Sequence, residues 1–292
     1  MAPQRVDARD GRALAVYEEG DPNGTPVIVH HGTPASGLLF RLWVTLAREQ
    51  GIRLIGYDRP GYGGSTRHAG RNVGDCADDV EAIADALGLE RFATWGVSGG
   101  GPHALACAAL CGDRLGAVAS LAAVAPHEAA GLDWVAGMGE ANVEEFGAIA
   151  AGEPELRRFL EREAATMLGG QASDIVAVFE TLLGAADRAV LSEELVNELL
   201  QSIAHGLTHG VDGWLDDDFA FFRPWGFDVA SINRPVLLLH GADDRFVPIA
   251  HGRWLAERVP RIESRLTGYE DGHLTFSVSR IEEVHEWLLA NI

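Results

Sequence analysis

One segment of the chain predicts a serine held between a strand and a helix. An apolar run at residues 92–97 is typical of a buried strand, and the Ala-rich stretch His103–Leu110 predicts a helix. Gly-Val-Ser-Gly-Gly, residues 96–100, joins the two. A turn this tight leaves no room for a Cβ on either side, which accounts for the flanking glycines. Because such a turn exposes the hydroxyl of Ser98, we take Ser98 as a candidate nucleophile.

Two later segments offer partners for that serine. Pro235–His240 is apolar throughout, as in a parallel strand covered by helices on both faces, and it leads into a loop with Asp243 and Asp244. A second short run, Ser264–Leu266, leads to a loop that carries His273. An imidazole can take a hydroxyl proton near neutral pH and return it to a leaving group. The order serine, aspartate, histidine is therefore that of a nucleophile, an orienting acid and a general base.

With these segments the chain resembles the α/β-hydrolase superfamily over nearly its whole length. The resemblance rests on the order and spacing of the serine turn and four other motifs: His31-Gly32-Thr33-Pro34, Tyr57 to Ser65, Gly241 to Pro248, and Gly272-His273. It implies an α/β fold with a doubly wound, mostly parallel sheet and an inserted helical cap. It also implies that Asp244 is the orienting acid, with Asp243 as the alternative.

An acyl-transfer site also needs two backbone N–H groups where negative charge develops on the substrate oxygen. One is expected from Gly99, which follows the candidate nucleophile. The other is expected from the loop after an early strand, where Thr33 is favoured and Gly32 is the alternative. Pro34 has no N–H to offer. His31 is expected to hold the loop by hydrogen bonds.

The chain changes character near residue 125. Up to that point short apolar strands alternate with amphipathic helices, and Leu115–Ala125 is the last predicted strand. Helical periodicity then replaces the strand pattern. The predicted helices are Glu155–Met167, Ser173–Leu183 and Ser192–Ile203. We therefore predict a core formed by residues 1–125 and 231–292, with residues 126–230 as a helical cap over Ser98.

Large apolar side chains in the predicted cap could line a pocket above the serine. The candidates are Trp134, Met138, Phe146, Trp214 and Phe222, together with Phe219 and Phe221. Aromatic residues at helical spacing more often pack inside a core, so packing within the cap is the alternative for each of them.

Composition excludes several classes of protein. All 23 basic residues are arginine, since the chain has no lysine. Schiff-base enzymes, Ser-Lys dyads and phosphate-loop nucleoside triphosphatases all need a lysine. A formal charge of −20 without an arginine-dense run disfavours nucleic-acid binding.

The cysteines and the apolar segments bear on the cellular compartment. Cys76, Cys107 and Cys111 form an odd count without a Cys-x-x-Cys pair, as expected in a reducing compartment. The first 20 residues lack the continuous apolar run of a signal peptide, and no run is long enough to span a membrane. We expect a soluble cytoplasmic protein.

Two other motifs point to different chemistry. His205 and His209 have the spacing of a two-histidine metal site with Asp212 nearby, but no glutamate follows the first histidine, so a polar helix face is favoured and no metal is expected. Gly99, Gly101 and Ala104 match a relaxed dinucleotide fingerprint. The oxidoreductase that this fingerprint suggests leaves the serine, aspartate and histidine motifs unexplained.

The sequence thus predicts a serine hydrolase that cleaves a small to medium, largely apolar carboxylic ester, with a small-molecule substrate and no cofactor. Because the candidate nucleophile is a serine, the resemblance disfavours the epoxide hydrolases and dehalogenases of the superfamily, which use an aspartate. Amide, iminopeptidase, lactone and carbon–carbon hydrolysis remain alternatives, as do perhydrolysis and a ligand-binding protein without catalysis. For an iminopeptidase, Glu140, Glu144 and Glu145 could bind an amine, but a solvated helix face is favoured for them.

Overall fold

Strands and helices alternate through most of the computed structural model, which describes residues 3–169 and 179–292. The strands are β1 (Gln4–Asp7), β2 (Ala13–Gly20), β3 (Thr25–His30), β4 (Ile52–Tyr57), β5 (Phe92–Val97), β6 (Leu115–Leu121), β7 (Val236–His240) and β8 (Ile262–Leu266). The helices are α1 (Arg41–Glu49), α2 (Cys76–Ala86), α3 (Gly100–Leu110), α4 (Glu140–Ala151), α5 (Glu153–Gly169), α6 (Ala185–Val190), α7 (Glu193–Gly206), α8 (Asp212–Phe222), α9 (Ile249–Ala256), α10 (Thr275–Ser279) and α11 (Ile281–Asn291). Short 3-10 turns lie at Val73–Asp75 and Val229–Ser231.

All eight strands form one sheet in the order β1-β2-β4-β3-β5-β6-β7-β8. Strands β3 to β8 are mutually parallel, and β2 pairs antiparallel to both of its neighbours, β1 and β4. Parallel neighbours need a crossover connection, which α1, α2, α3 and α9 provide, whereas β1 and β2 need only a short turn. The predicted doubly wound, mostly parallel sheet is confirmed.

The apolar runs predicted as central strands are buried because helices cover both faces of the sheet. Every residue of β5, β6 and β7 is buried. Helices α1 and α11 pack on one face, and α2, α3 and α9 pack on the other. The last strand before the helical region ends earlier than predicted, at Leu121 rather than Ala125. Ala122 has a φ of +48°, which an extended strand cannot continue through.

Between β6 and β7 the described residues form helices α4 to α8 and no strand. We call residues 126–230 the helical insertion. The predicted helices at Glu155–Met167 and Ser192–Ile203 correspond to α5 and α7. Of the predicted helix Ser173–Leu183, residues 173–178 lie outside the described residues, and residues 179–182 form a turn.

A buried carboxylate joins the helical insertion to the sheet. Asp217 of α8 is fully buried between two arginines, with 2.6 Å from its Oδ2 to Arg59 Nη2 and 2.7 Å from its Oδ1 to Arg71 Nη2. It also accepts hydrogen bonds from the hydroxyls of Tyr62 and Thr33, at 2.9 and 2.8 Å. Arg59 lies just after β4 and also donates to the carbonyl of His31, just after β3. The insertion is thus tied to the loops at the carboxyl ends of two central strands.

The described part of the chain contains no helix that is both long enough and apolar enough to cross a membrane.

Asp217→Ala should strongly destabilise the protein, because it leaves two buried arginine charges without their partner. We expect a loss of roughly 3–5 kcal/mol in the free energy of unfolding, measured by urea denaturation. Asp113→Ala is the control: Asp113 pairs with Arg234 at the surface, and exposed ion pairs add little stability. If the two variants unfold at the same urea concentration, Asp217 does not anchor the insertion.

Candidate active site

The sheet order brings two loops of the predicted site together. From β3 the chain crosses outward to β4 and then returns to form β5 on the other side of β3, so the crossover direction changes between β3 and β5. Ligands of open α/β sheets bind at such a switch point, outside the carboxyl ends of the strands. In the parallel pairing His30 lies beside Gly96. Gly32 and Ser98, each two residues further along, therefore emerge side by side.

Ser98 occupies a strained turn between β5 and α3. Its φ is +55°, in the left-handed region that residues with a Cβ rarely adopt. A Cβ on Gly96 would lie 2.1 Å from the carbonyl oxygen of Gly100, and a Cβ on Gly100 would lie 2.1 Å from the carbonyl oxygen of His30. The flanking glycines are thus required by close backbone contacts. The strained turn presents the Ser98 side chain at the edge of the sheet where the parallel strands end.

The loops after β7 and β8 bring an aspartate and a histidine into contact. His273 Nδ1 donates to Asp244 Oδ2 over 2.8 Å, and the other oxygen of Asp244 accepts from the Val247 N–H, also at 2.8 Å. The imidazole is buried, and the Phe246 ring stacks on it at 4.5 Å between centroids. Both Ser98 and His273 line the same cavity.

Asp243, the alternative acid, points elsewhere. Its Oδ2 accepts a hydrogen bond of 2.9 Å from the backbone N–H of Ala186, in α6 of the helical insertion. Two adjacent residues of one turn cannot both face the same imidazole. In the structure Asp244 faces His273, and Asp243 holds the insertion.

A second carboxylate holds the backbone of the loop that carries His273. Asp187 of α6 is fully buried and accepts the backbone N–H groups of His273 and Leu274, at 3.0 and 2.7 Å. A Cβ on Gly272 would lie 2.6 Å from this carboxylate, which explains the glycine before the histidine. Burial lowers the pKa of His273, but the negative charges of Asp244 and Asp187 outweigh it, so the pKa lies above its ordinary value of 6.5.

The two expected oxyanion donors lie against each other. A Cβ on Gly99 would lie 2.3 Å from the Thr33 hydroxyl oxygen, so the two residues are in close contact. Among the described residues, neither the Thr33 nor the Gly99 N–H has a hydrogen-bond partner. The Thr33 hydroxyl is held by Asp217 and Arg59. The arrangement leaves both amides available beside Ser98.

The histidines near the site have structural partners. His31 Nδ1 lies 2.7 Å from the Gly32 carbonyl oxygen, and the ring accepts the Arg59 N–H, so it holds its loop as expected. His103 packs beneath the insertion, with Nδ1 2.7 Å from the Gly99 carbonyl oxygen. His205 Nε2 lies 2.7 Å from the Tyr17 hydroxyl. No group of three or more potential metal ligands occurs among the described residues.

The glycines of the dinucleotide fingerprint also meet protein atoms. Besides the contact of Gly99 with Thr33, a Cβ on Gly101 would lie 2.5 Å from the Ala123 side chain. In the structure these glycines allow helix α3 to pack closely against the loop after β3 and the end of β6.

The cavity above Ser98 has a volume of about 170 Å³ and a mostly apolar wall. Of the predicted lining residues, Phe146 and Trp214 contribute to it, as does Phe221. The prediction is wrong for Trp134, Met138 and Phe222, which pack in the core beside the cavity. The Trp134 indole N–H donates to the Ala125 carbonyl, and its ring meets that of Phe222 at 5.1 Å. Phe219 does not line the cavity either: it packs within the insertion.

The three glutamates of α4 differ in their surroundings. Glu140 and Glu144 are exposed, as expected for a solvated face. The same expectation is wrong for Glu145, whose side chain lines the cavity. It accepts a hydrogen bond of 2.6 Å from the Trp214 indole N–H.

Several residues that shape the site had no separate signal in the sequence. Asp187 contacts the His273 backbone across 86 positions, and Asp217 contacts Thr33 across 184 positions. The one available sign was the run Asp216 to Asp218 in a segment that is otherwise aromatic and apolar. Three adjacent aspartates in such a segment cannot easily all lie on a solvent-exposed helix face.

The titration of His273 should depend on Asp244. We expect an NMR titration midpoint above 6.5 in the wild type and a lower one in Asp244→Asn, because a buried imidazolium loses its neighbouring carboxylate. Asp243→Asn is the matched control, since Asp243 bonds the Ala186 N–H instead, and should change the midpoint less. Equal shifts in the two variants would contradict this pairing.

Comparison with known proteins agrees with this architecture. A family model described as alpha/beta hydrolase fold matches residues 25–278. The chain is 26% identical over 252 residues to the AB hydrolase superfamily protein YisY of Bacillus subtilis, covering 86% of this chain and 85% of that protein. It is 32% identical over 124 residues to the bifunctional esterase/perhydrolase DCH of Acinetobacter calcoaceticus, covering 41% of this chain and 45% of that protein. The crystal structure of a bromoperoxidase from Bacillus anthracis superposes with a TM-score of 0.71 at 23% identity, covering 99% of this chain and 100% of that one. The chain therefore belongs to the alpha/beta hydrolase fold family.

Proposed function

We propose that this protein is a serine hydrolase that cleaves small carboxylic esters through an acyl-enzyme on Ser98. The observation that carries the proposal is the 2.8 Å contact between Asp244 and His273, at the edge of a cavity that Ser98 also lines. A strained serine, a carboxylate-paired imidazole and two unpartnered amides make up the parts that acyl transfer requires. The similarity to a protein named as an esterase/perhydrolase is consistent with it.

The proposed reaction has two steps. His273 Nε2 takes the proton of the Ser98 hydroxyl as Oγ attacks the ester carbonyl carbon. The Gly99 and Thr33 N–H groups stabilise the oxyanion that forms. The carbon–oxygen bond to the alcohol then breaks, and the alcohol leaves with the proton from His273. Water repeats the attack on the acyl-enzyme, and the carboxylic acid and the free Ser98 hydroxyl are restored.

Asp244 has an orienting role in this scheme. By accepting from Nδ1 it keeps Nε2 free to take a proton, and its charge stabilises the imidazolium that forms. Asp187 is proposed as a positioning residue, because its two hydrogen bonds fix the backbone that carries the imidazole.

The helical insertion is proposed as a cap that closes the site from water. Residues of α4, α5, α7 and α8 line the cavity together with residues from the loops after β3 and β5. Excluding water strengthens the interactions that stabilise the oxyanion. The proposal follows from this shared lining and from the contacts of Asp187 and Asp217 described above.

Ser98→Ala should abolish covalent labelling by a fluorophosphonate probe and lower kcat for a 4-nitrophenyl ester by at least roughly 10³-fold. The reason is that the alanine has no hydroxyl to form the acyl-enzyme. Ser36→Ala is the matched control, because Ser36 also lines the cavity but lies in the loop before α1, and it should keep its labelling. Labelling that survives in Ser98→Ala would disprove the assignment.

The cavity volume limits the acyl group. A cavity of about 150 Å³ is enough to hold benzene, so a cavity of similar size should favour acyl chains of about six carbons or fewer. We expect kcat/KM for 4-nitrophenyl esters to rise from acetate to a maximum within this range and to fall for octanoate and decanoate. A continued rise up to decanoate would mean that the substrate lies outside this cavity.

A further inference from the structure

Three carboxyl groups line the candidate active-site cavity without any role in the proposed reaction: Glu145, Glu163 and Asp218. Glu163 of α5 pairs with Arg162 at 3.1 Å, which leaves Glu145 and Asp218 without a basic partner in the part of the chain that the structure describes. Glu145 comes from α4 and Asp218 from α8, and both line the cavity. They are near enough for the charge of Glu145 to raise the pKa of Asp218. Asp218 is only 1% exposed, and its Oδ2 has no hydrogen-bond partner among the described residues. We call Glu145 and Asp218 the acid pair.

The acid pair differs from the aspartates next to it in sequence. Asp216 pairs with Arg67 at 2.7 Å, and Asp217 pairs with Arg59 and Arg71. Among the described residues, Asp218, the third member of the run, pairs with no arginine, and its Oδ2 has no hydrogen-bond partner. A charge buried without a partner is costly, so natural structures pair such groups or hold them neutral.

The described residues place no basic side chain other than histidine in the cavity wall beside the acid pair. Along the described cavity wall there is no arginine, and the chain has no lysine. Residues 170–178, outside the described part, contain no basic residue in their sequence. The wall also contains two histidines. Burial, and after it the charge of Arg59, keeps the pKa of His31 well below its ordinary value. His273 is paired with Asp244.

Burial and mutual repulsion favour a proton on the acid pair. Burial raises the pKa of Glu145 to about 7, and burial together with the nearby charge of Glu145 raises that of Asp218 well above its ordinary value. Two carboxyl groups in contact share a proton because both cannot ionise easily. A ligand with its own positive charge could replace that proton.

Helix α8 places the acid pair close to the reacting groups. Trp214, Asp218 and Phe221 recur at helical spacing, and all three line the cavity. The Phe221 ring is close to Gly99, since a Cβ on Gly99 would lie 3.1 Å from its tip. Asp218 is one helical turn, about 5 Å, further along the same face. A group bound there and a carbonyl held beside Ser98 would therefore occupy the same cavity.

We infer that Glu145 and Asp218 form a subsite for the protonated amine of a substrate, so that the preferred esters carry an ammonium group on their acyl chain. The inference rests on the proposed function, because it assigns the substrate class of the same site. The ammonium N–H groups donate to the two carboxylates, and the proton shared by the empty pair passes to solvent. The Trp214 indole holds Glu145 in place for this contact.

The test compares esters in which an ammonium group replaces a methyl group. The first pair is the 4-nitrophenyl esters of 3-aminopropanoate and butanoate, and the second is those of 6-aminohexanoate and heptanoate, each corrected for spontaneous hydrolysis. We expect the wild type to prefer the amine ester at least tenfold in kcat/KM in one pair. Glu145→Gln and Asp218→Asn should each lower that preference by roughly 10- to 100-fold, the range for a lost charge-assisted hydrogen bond.

Glu144→Gln is the matched control, because Glu144 is the exposed neighbour of Glu145 on the same helix. It should leave the preference unchanged. Hydrolysis of the neutral esters without any preference for amines would overturn the inference and leave the proposed function intact. A preference that survives in both acid-pair variants would also overturn the inference, because the two carboxyl groups would then only complete the cavity wall.

A binding measurement separates this inference from the proposed function. Calorimetry with butylammonium and with butan-1-ol does not depend on turnover and can be done on the Ser98→Ala protein. We expect the ammonium to bind at least tenfold more tightly than the alcohol, and Glu145→Gln to remove the difference. If neither ester is hydrolysed and Ser98 is not labelled, the proposed function fails, and this measurement still decides whether the subsite exists. Equal binding of the two compounds would overturn the subsite.

Discussion

The parallel pairing of β3 with β5 is the constraint on which the rest of the site depends. Because the crossovers leave in opposite directions on either side of this pair, they leave a crevice between its two loops. The serine turn and the amide loop emerge there in register, two residues beyond paired positions. The neighbouring strands β6, β7 and β8 then place their own carboxyl ends along the same edge. Residues far apart in sequence thus meet because the strands that precede them are neighbours.

The helical insertion also holds two loops of the candidate active site in place. It sends a buried carboxylate to each side of the site: Asp187 to the backbone of the histidine loop and Asp217 to the amide loop. Both carboxylates are buried, so both contacts are only mildly screened by water or salt. The core supplies the groups that react in our proposal, and the insertion determines how firmly their loops are held. Asp218 of the acid pair directly follows Asp217 on α8, whereas Glu145 lies on α4.

For this chain, strand positions predict the arrangement of the site better than helical periodicity does. The sequence predicted that Ser98, Asp244 and His273 each follow a strand, and parallel strands bring such positions to one edge. The Asp244–His273 contact and the neighbouring positions of Gly99 and Thr33 agree with that reasoning, while their roles in catalysis stay predictions. Helical periodicity identified buried faces in the insertion, but it could not tell burial in a core from burial against a cavity. For that reason the sequence predicts Trp134 and Phe222 as pocket residues and favours a solvated face for Glu145, and both predictions are wrong.

Contacts between an insertion and its core leave no periodic signal at all. Asp187 sits in a short helix whose sequence is unremarkable, and its partners are backbone amides that any residue could supply. Only the three-dimensional arrangement shows what it binds. Asp243 and Asp244 illustrate the same limit at close range, since only the side-chain directions distinguish them.

The two carboxylates of the insertion also limit how the protein could be recombined. Transplanting a lid from a relative to change specificity is an attractive engineering route for enzymes of modular appearance. In this chain a chimera that lacked acidic residues at the places of Asp187 and Asp217 would leave Arg59 buried without a counter-charge and the histidine loop without its anchor. The unit that can be exchanged is therefore smaller than the insertion: it is the cavity-facing surface of α4, α5, α7 and α8, with these two anchors kept.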